Sequence, residues 1–217
     1  MRLTAARAST AQWSKLLRKA MVPTATAVAA VSKAYVLKKE ASGVSVTVLS
    51  CHQWASLMGV PISRWHPLRL ALTAVSDDKG SSMVGQAVDA DVAKEVLRWA
   101  CVEAGVPLDG RRKVWLATAL SGLDFFAGAL FDMLGSDAFG YAAAAEVVES
   151  VLEAHAAGWG GLVGKVFGSV LSAATRRGWS AAAAQAEVVA AGLRCSAWSR
   201  ANTVHGLRSA QRRQQLH

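Results

Sequence analysis

The fold is decided by residues 114–146, which read VWLATALSGLDFFAGALFDMLGSDAFGYAAAAE. Val114–Leu120 is an apolar run of strand length, and it ends in the turn Ser121-Gly122-Leu123-Asp124. Phe125–Leu134 has the composition of a helix, and Tyr141–Ala145 is a second strand candidate. A strand, a helix and a strand in this order predict a βαβ unit with parallel strands.

The alternation of strands and helices continues after this unit. The next elements are, in order, a helix at Val147–Ala156, an ambiguous glycine-rich stretch at 158–179, a short helix at Ala181–Ala186 and a strand at Val188–Ala191. The whole pattern predicts an α/β layer with a parallel sheet. Because ligands of such sheets bind beyond the carboxyl ends of the strands, we expect the functional residues in the turns there.

The N-terminal half is predicted to add one strand and two helices. Residues 44–49 (VSVTVL) alternate in polarity and favour a strand, and Ser50 is a candidate N-cap for a short helix that ends at Leu57. Residues 72–82 contain the sequence DDKG and indicate a polar loop. Residues 84–104 predict a helix with a broad apolar face toward the core, formed by Val88, Val92, Val96, Leu97, Trp99, Ala100 and Val102.

The composition excludes several classes of protein. The chain has 217 residues and is 53% hydrophobic, which is too apolar for a disordered chain. The sequence contains no run of about 18 apolar residues, so it predicts no membrane-spanning helix. The three cysteines, Cys51, Cys101 and Cys195, have no CxxC spacing, which excludes a disulfide framework and a cysteine-rich zinc site and fits a reducing compartment. The five histidines are scattered, so we expect no metal site.

Positive charge is concentrated at the two ends of the chain. The net charge is +9, and neither residues 1–39, with eight Lys or Arg, nor residues 188–217, with five Arg, contain an acid. This distribution favours nucleic acid or an anionic surface as a partner, with ordinary solubility charge as the alternative. We predict a basic N-terminal arm at 1–42, which resembles a transit peptide in composition, and one domain at 43–217.

Three candidate groups follow predicted strands. The small-residue turn Ser121-Gly122 would let a ligand approach the backbone and the first N–H groups of a helix; alternatively, it is only structural. Glu146 follows the second strand, where an acid accepts hydrogen bonds from ribose hydroxyls in dinucleotide folds; the alternative is a solvated carboxylate at a helix start. Cys195 has two nearby arginines, which would favour the thiolate. The alternative is a small buried hydrophobe, which is also our interpretation of Cys51 and Cys101.

Parts of the chain resemble the cytosine-C5 DNA methyltransferases. Glu187–Asn202 (EVVAAGLRCSAWSRAN) is similar to the family's nucleophile motif, an apolar strand followed by Gly-x-Pro-Cys-x-x-Phe-Ser, with Arg194 in place of the Pro. Trp115–Glu146 is similar to the family's S-adenosylmethionine turn and its ribose-binding acid. The Phe-x-Gly of that turn aligns with Leu120-Ser121-Gly122 or, in a second register, with Phe126-Ala127-Gly128.

Two further segments resemble motifs that usually end the family's chain. Leu49–Pro61 (LSCHQWASLMGVP) is similar to Leu-Thr-x-x-Glu-x-Ala-x-Leu-x-Gly-Phe-Pro. Met83–Leu97 (MVGQAVDADVAKEVL) is similar to the helix that closes with Gly-Asn-Ala-Val, with Gln86 in place of the Asn. Both precede the nucleophile motif here, so the order resembles a circular permutation or a cut through tandem copies.

The resemblance implies a Rossmann-like fold of the S-adenosylmethionine-dependent methyltransferases with an incomplete sheet. It implies that the Cys195 thiolate adds to C6 of a flipped-out cytosine in DNA, whose C5 then takes the methyl group of S-adenosylmethionine. The residues implied to hold the cofactor are Leu120, Ser121, Gly122, Leu123, Asp124, Glu146, Gln86, Ala87 and Val88. Those implied to meet the nucleic acid are Ser199, Arg200, Arg208, Arg212 and Arg213.

Two parts of the family's active site are not found in the sequence: the Glu-Asn-Val acid that steadies protonated cytosine N3, and the later Gln-x-Arg-x-Arg strand. Loss of general-acid help costs roughly 10²–10⁴ in rate. We therefore predict an incomplete DNA (cytosine-5) methyltransferase-like domain that needs a second chain, which leaves its own enzymatic activity open. The alternatives are an inactive basic remnant that binds nucleic acid or cofactor, and a mainly helical Ala-rich interaction protein. We expect no membrane partner and an intracellular location, in the nucleus of a eukaryote or in an organelle.

Overall fold

The structure is a computed structural model that describes residues 35–40 and 43–192, with backbone only before residue 48. It contains six strands and seven helices within those residues. In chain order they are β1 (Tyr35–Glu40), β2 (Gly43–Val48), α1 (Cys51–Leu57), α2 (Pro67–Thr73), α3 (Asp77–Gly85), α4 (Ala90–Glu103), β3 (Val114–Ala119), α5 (Phe125–Ala138), β4 (Phe139–Ala145), α6 (Glu149–Trp159), β5 (Val163–Phe167), α7 (Ala173–Ala183) and β6 (Val188–Ala191). Each of these helices is too short or too polar to cross a membrane.

Four strands form one parallel sheet in the order β5-β4-β3-β6. The register of β3 runs from Val114 opposite Phe139 to Ala119 opposite Ala145 in β4, and Ala119 also lies opposite Ala191 in β6. A helix follows each of the first three strands of this sheet and connects it to the next. The predicted parallel α/β sheet is confirmed, and its topology is compatible with a Rossmann-like fold.

The two faces of this sheet are covered unequally. The larger buried cluster joins β3 and β4, through side chains such as Leu116 and Tyr141, to α5, α6 and the helices of the N-terminal half. The smaller cluster consists of Ala117 and Ala143 in the sheet and Ala183 in α7. The two central strands are buried along most of their length, whereas the edge strands β5 and β6 have largely exposed or half-buried residues. The most deeply buried strands of the sheet are therefore those of the β3–α5–β4 unit that the sequence predicts.

The first described residues form a hairpin and a short helix. β1 pairs with β2 in antiparallel register, which confirms the strand predicted at 44–49; β1 itself lies within the segment predicted as the arm. α1 begins after Ser50, as predicted. The Ser50 Oγ accepts a hydrogen bond from the Gln53 N–H at 3.2 Å, while the Gln53 side chain accepts one from the Ser50 N–H at 2.9 Å. This reciprocal capping box satisfies two backbone donors at the helix start.

The prediction of a polar loop at 72–82 is wrong, because much of this segment belongs to α3. Ser76 caps the helix through its side chain, and Asp77 and Asp78 occupy the first turn, where negative charge is favourable. Gly80 is buried in this helix, and a Cβ at its position would lie 2.8 Å from the Cys51 Sγ. The sequence DDKG therefore starts a helix and packs its glycine against α1, rather than forming a turn.

The single helix predicted at 84–104 is also wrong in two respects. The chain leaves the helical conformation between Gly85 and Ala90. Asp89 caps α4, because its side chain accepts hydrogen bonds from the N–H groups of Asp91 and Val92. Of the seven residues predicted to face the core, only Leu97 is buried, and four are at least half exposed: Val92, Val96, Trp99 and Val102. The buried face instead carries small residues, Ala90, Ala93 and Cys101, which let α4 pack closely on α5.

The later elements follow the predictions with shifted boundaries. α5 runs past the predicted end, but Gly135 has φ 75° and breaks its regular conformation at the predicted position. α6 begins two residues later than predicted and ends three residues later. The ambiguous stretch 158–179 contains β5 and the first half of α7, and the helix predicted at Ala181–Ala186 is the end of α7. The strand predicted at Val188–Ala191 is confirmed as β6.

Candidate functional site at the carboxyl edge of the sheet

The turn after β3 has an unusual backbone. Leu120 and Asp124 have φ values of 54° and 66°, and Gly122 between them has φ 57°. Non-glycine residues rarely adopt this left-handed region; each such residue costs on the order of 1–3 kcal/mol and persists only where its surroundings impose the conformation. Within the described part of the chain, these are the two non-glycine residues with positive φ. Backbone strain is thus concentrated in the turn where the sequence predicts a ligand.

Glu146 folds its side chain back over this turn. Its Oε2 accepts a hydrogen bond from the Gly122 N–H at 2.9 Å. Its Oε1 accepts hydrogen bonds from the N–H groups of Val147 at 2.7 Å and Val148 at 3.0 Å. Glu146 is 7% exposed, so most of the residue is covered at this strand end. The turn and the acid, which are 24 residues apart in sequence, are therefore in direct contact.

Backbone hydrogen bonds bring three strand ends together at this edge. The Ser121 N–H donates to the Ala145 carbonyl at 3.2 Å, which joins the turn to the end of β4. The Gly192 N–H donates to the Ala119 carbonyl at 3.1 Å, which joins the residue after β6 to the end of β3. A Cβ on Gly192 would lie 2.7 Å from the Leu120 carbonyl oxygen, so the two chain segments approach each other closely.

Four buried side chains lie beneath the turn, and we name them the strand-end network: Thr118, Asp124, Tyr141 and His155. The Asp124 Oδ2 accepts hydrogen bonds from Thr118 Oγ1 at 2.6 Å and from the Tyr141 hydroxyl. Its Oδ1 accepts one from the Ala127 N–H at 3.0 Å, which caps α5. One carboxylate therefore fixes both the start of the helix and the end of the strand.

Tyr141 links Asp124 to His155. Its hydroxyl donates to the Asp124 Oδ2 and lies 3.1 Å from the His155 Nε2. The buried His155 Nδ1 has no hydrogen-bond partner among the described residues. Burial, together with the nearby Asp124 charge, raises the pKa of Tyr141 well above its ordinary value, so the hydroxyl keeps its proton.

The predicted cofactor residues of the turn divide into two groups. Leu120, Ser121 and Gly122 reach the surface, and a Cβ on Gly122 would meet no atom within 4 Å. Leu123 and Asp124 are buried, and both carboxylate oxygens of Asp124 already accept hydrogen bonds. The first group forms the surface that a ligand would meet, and the second supports this surface from below.

The second register of the turn motif falls inside a helix. Phe126-Ala127-Gly128 lies in the first turn of α5, and Gly128 packs against another helix. A Cβ at Gly128 would lie 2.6 Å from the Leu68 Cδ1, which explains the glycine by packing. Only the register Leu120-Ser121-Gly122 places the glycine in a turn at a strand end.

The other predicted cofactor residues lie between α3 and α4. Gln86 is exposed, and its Nε2 donates to the Ser82 Oγ at 3.2 Å within its own segment. Ala87 and Val88 are half-buried against the larger core cluster. Among the described residues no hydrogen bond joins these three residues to the turn, and their contact with a cofactor stays a prediction.

The predicted nucleophile, Cys195, lies outside the described residues, and so do the predicted nucleic-acid contacts Ser199, Arg200, Arg208, Arg212 and Arg213. The other two cysteines are buried and free, as predicted. Burial raises the pKa of the Cys51 thiol to about 11 and raises that of Cys101, so neither is a reactive thiolate.

Sequence reasoning missed the strand-end network except for Asp124. The available signal was a polar residue inside each apolar element: Thr118 in β3, Tyr141 in β4 and His155 in α6. Such residues are buried only when they are hydrogen-bonded, so together they indicate a shared partner. The described residues include no group of three or more His, Cys, Asp or Glu that could hold a metal ion.

No family model and no curated protein matches this chain.

Proposed function

We propose that the carboxyl edge of β3 and β4 binds S-adenosylmethionine, and that the chain is a DNA (cytosine-5) methyltransferase-like domain which works with a second chain. The observation that carries this proposal is the hydrogen bond from the Gly122 N–H to the Glu146 Oε2. It joins a strained, glycine-containing turn to an acid at the next strand end, which is the arrangement that nucleoside cofactors use in open α/β sheets.

The chemistry of the edge suits a nucleoside. A carboxylate has about four acceptor positions, and Glu146 uses three of them for backbone N–H groups. One position is left for a ribose hydroxyl, and the exposed Gly122 allows close approach of the ligand to the backbone. When bound, S-adenosylmethionine would supply an electrophilic methyl group. The residues assigned to hold it are Ser121, Gly122 and Glu146, above the support given by Asp124.

The resemblance of Glu187–Asn202 to the nucleophile motif supports the second half of the proposal. The Gly192 N–H is bonded to the end of β3, and Cys195 follows Gly192 by three residues in the chain. In the proposed reaction the Cys195 thiolate adds to C6 of a flipped-out cytosine, which makes C5 nucleophilic. The acid that would stabilise protonated N3 is not recognisable in the sequence, so we assign it to a second chain.

The first experiment is a binding titration of S-adenosylmethionine to the full chain by calorimetry. We expect saturable binding, weakened about 10- to 100-fold by Glu146→Gln, because this change removes charge from hydrogen bonds worth about 1.5–3 kcal/mol each. The matched control is Glu149→Gln, an exposed acid three residues later at the start of α6, which should bind like the unsubstituted chain. Absence of binding by a folded unsubstituted chain, or equal losses in both variants, would overturn the cofactor assignment.

A second candidate function is favoured by the acid-free basic segments 1–39 and 188–217. A remnant without catalysis would bind nucleic acid with a steep salt dependence that Cys195→Ala leaves unchanged. The two functions separate in a test with DNA that contains 5-fluorocytosine and with the partner chain present. The methyltransferase function predicts a covalent adduct that Cys195→Ala abolishes, whereas the remnant forms no adduct.

A further inference from the structure

A shallow cleft of about 340 Å³ lies between α1 and α2, and none of its lining residues belongs to the proposed cofactor site. Two arginines, Arg64 and Arg69, line it together with His52, whose pKa is lowered by burial and by the nearby Arg69 charge, so the positive groups of the cleft are the arginines. The other described lining residues are uncharged, so no carboxylate lines the cleft within the described chain. A concave surface with positive groups and no negative ones favours an anionic ligand.

Arg69 is held rigidly at this cleft. It is 6% exposed, and its guanidinium donates to the carbonyls of Pro61 at 2.8 Å and Val60 at 3.1 Å, and also to that of His52. These acceptors and the Ser56 Oγ, which also accepts from Arg69, are neutral oxygens, so the positive charge has no carboxylate partner within the described residues. Burial lowers the pKa of Arg69, and an anion in the cleft would offset this cost of removing the charge from water.

The loop beside the cleft, residues 61–66 between α1 and α2, exposes two large apolar side chains. Ile62 is 86% exposed and Trp65 is 71% exposed. The Arg64 guanidinium carbon lies 4.7 Å from the centre of the Trp65 ring, so one face of the indole is covered by a cation. The high exposure of Trp65 leaves much of the ring open for a second planar group.

Both ends of this loop are anchored, although its side chains are exposed. Arg69 binds the Pro61 carbonyl at the first end. At the other end, His66 caps α2, and its Nε2 lies 3.0 Å from the Asp132 Oδ1 in α5. Exposed side chains on a fixed loop lose little conformational freedom when they bind, which is typical of recognition loops on rigid scaffolds.

We propose that this loop and cleft form a nucleic-acid contact, in which Arg64 and the rim at Arg69 and His52 meet a backbone phosphate while a base stacks on Trp65. A basic groove next to an exposed aromatic ring is the arrangement by which proteins hold single-stranded nucleic acid without reading its sequence. The inference goes beyond the proposed methyl transfer and does not depend on it, because the cleft shares no residue with the carboxyl edge. The excess positive charge of the chain lies at 1–39 and 188–217, so at the cleft itself Arg64 and Arg69 are the groups that favour a polyanion.

The test measures binding of a fluorescein-labelled oligothymidine to the full chain by fluorescence anisotropy at several salt concentrations. We expect Trp65→Ala to weaken binding on the order of tenfold, and Trp65→Phe to retain most of the affinity, because stacking needs only an aromatic face. The matched control is Trp99→Ala, since Trp99 is 67% exposed on α4 and should not contribute. Arg64→Ala should lower the slope of log affinity against log salt by about one, relative to Arg176→Ala on α7.

Three results would overturn the contact. The first is equal affinity of Trp65→Ala and Trp99→Ala for the oligonucleotide. The second is a loss of binding to vesicles that contain phosphatidylserine in Trp65→Ala, with oligonucleotide affinity unchanged, which would assign the loop to an anionic membrane surface. The third is unchanged oligonucleotide affinity combined with a Trp65-dependent change in sedimentation, which would assign it to a protein interface. Binding of S-adenosylmethionine is measured separately, so failure here leaves the proposed function intact.

Discussion

Two clusters of polar side chains join elements of the fold, and the clusters differ in how far water reaches them. In the strand-end network, the side chains of Asp124 and His155 are each 1% exposed. The second, which we name the helix-layer cluster, joins α2, α4 and α5 through Asp132, whose Oδ1 lies 3.0 Å from the His66 Nε2 and whose Oδ2 lies 2.9 Å from the Lys94 Nζ. The side chains of Asp132 and Lys94 are 16% and 21% exposed, so water reaches this cluster.

This difference decides what each cluster contributes. When a member of the strand-end network is removed, its partners stay buried without hydrogen bonds, and each such group costs about 1–3 kcal/mol. When a member of the helix-layer cluster is removed, water replaces part of the lost contact and the charge is screened. The buried cluster therefore fixes the strained turn of the candidate site, whereas the half-exposed cluster adjusts how the helices pack.

The largest effect is expected from Asp124→Ala. The substitution removes the cap of α5 and leaves the hydroxyls of Thr118 and Tyr141 without their shared acceptor. We expect the free energy of unfolding to fall by about 3–5 kcal/mol, because the loss of a helix cap adds to the cost of buried unsatisfied donors. Urea denaturation measures this loss. The control is Asp137→Ala, an exposed acid in the same helix, which should change it by less than about 0.5 kcal/mol.

A loss below about 1 kcal/mol for Asp124→Ala would mean that water enters beneath the turn and that the strand-end network is not dry. Tyr141→Phe distinguishes this case, because it removes one hydroxyl from the network and keeps the ring, and it should cost about 1–2 kcal/mol in a dry site.

A smaller effect with a defined pH dependence is expected from Asp132→Asn. Burial alone would raise the pKa of Asp132, but hydrogen bonds from His66 and Lys94 and their charges outweigh burial and lower it. A lowered pKa in the folded state means that the ionised carboxylate stabilises the protein above its ordinary pKa of 3.8, and that this contribution is lost as the pH falls through the folded value. We expect Asp132→Asn to cost about 1–2 kcal/mol at pH 7, and the cost to shrink below about pH 4.

The control for this experiment uses the second acid beside the same lysine. Asp91 lies 3.5 Å from the Lys94 Nζ, but its side chain is 75% exposed, so Asp91→Asn should cost less than about 0.5 kcal/mol at pH 7. A cost for Asp132→Asn that stays constant down to pH 3 would show that the carboxylate charge does not stabilise the helix layer. Urea denaturation at pH 7, 5 and 3 measures both variants.

The same contrast explains how much of the fold could be predicted from the sequence. The β3–α5–β4 unit was predictable because its signals are local: an apolar run, a glycine turn, and a second apolar run after a helix. The start of α1 was predictable for the same reason, since a capping box lies within four residues. The placement of Gly122 and Glu146 at one edge of the sheet was predictable from topology, because parallel strands end there, whereas the hydrogen bond between them was not predicted.

The features that sequence did not predict depend on distant partners. Gly80 reads as a turn residue, but it lies in a helix, where the Cys51 side chain leaves no room for a larger residue. The strand-end network joins Thr118 to His155 across 37 positions, and no short pattern contains both. The exposed face of α4 was predicted to be core because large apolar residues dominate periodicity, whereas close packing on α5 selects small ones.

The smallest effect is expected from Val96→Ala, on the α4 face that the sequence assigned to the core. Val96 is 50% exposed, so the substitution should change the free energy of unfolding by less than about 0.5 kcal/mol. Its matched control is Val84→Ala in α3, a fully buried valine, which should cost about 2 kcal/mol through lost burial and a cavity. Urea denaturation of the full chain compares the two. Equal costs would mean that the exposed face of α4 is covered in the whole protein, and then the periodicity of residues 84–104 would have identified an interface rather than the core.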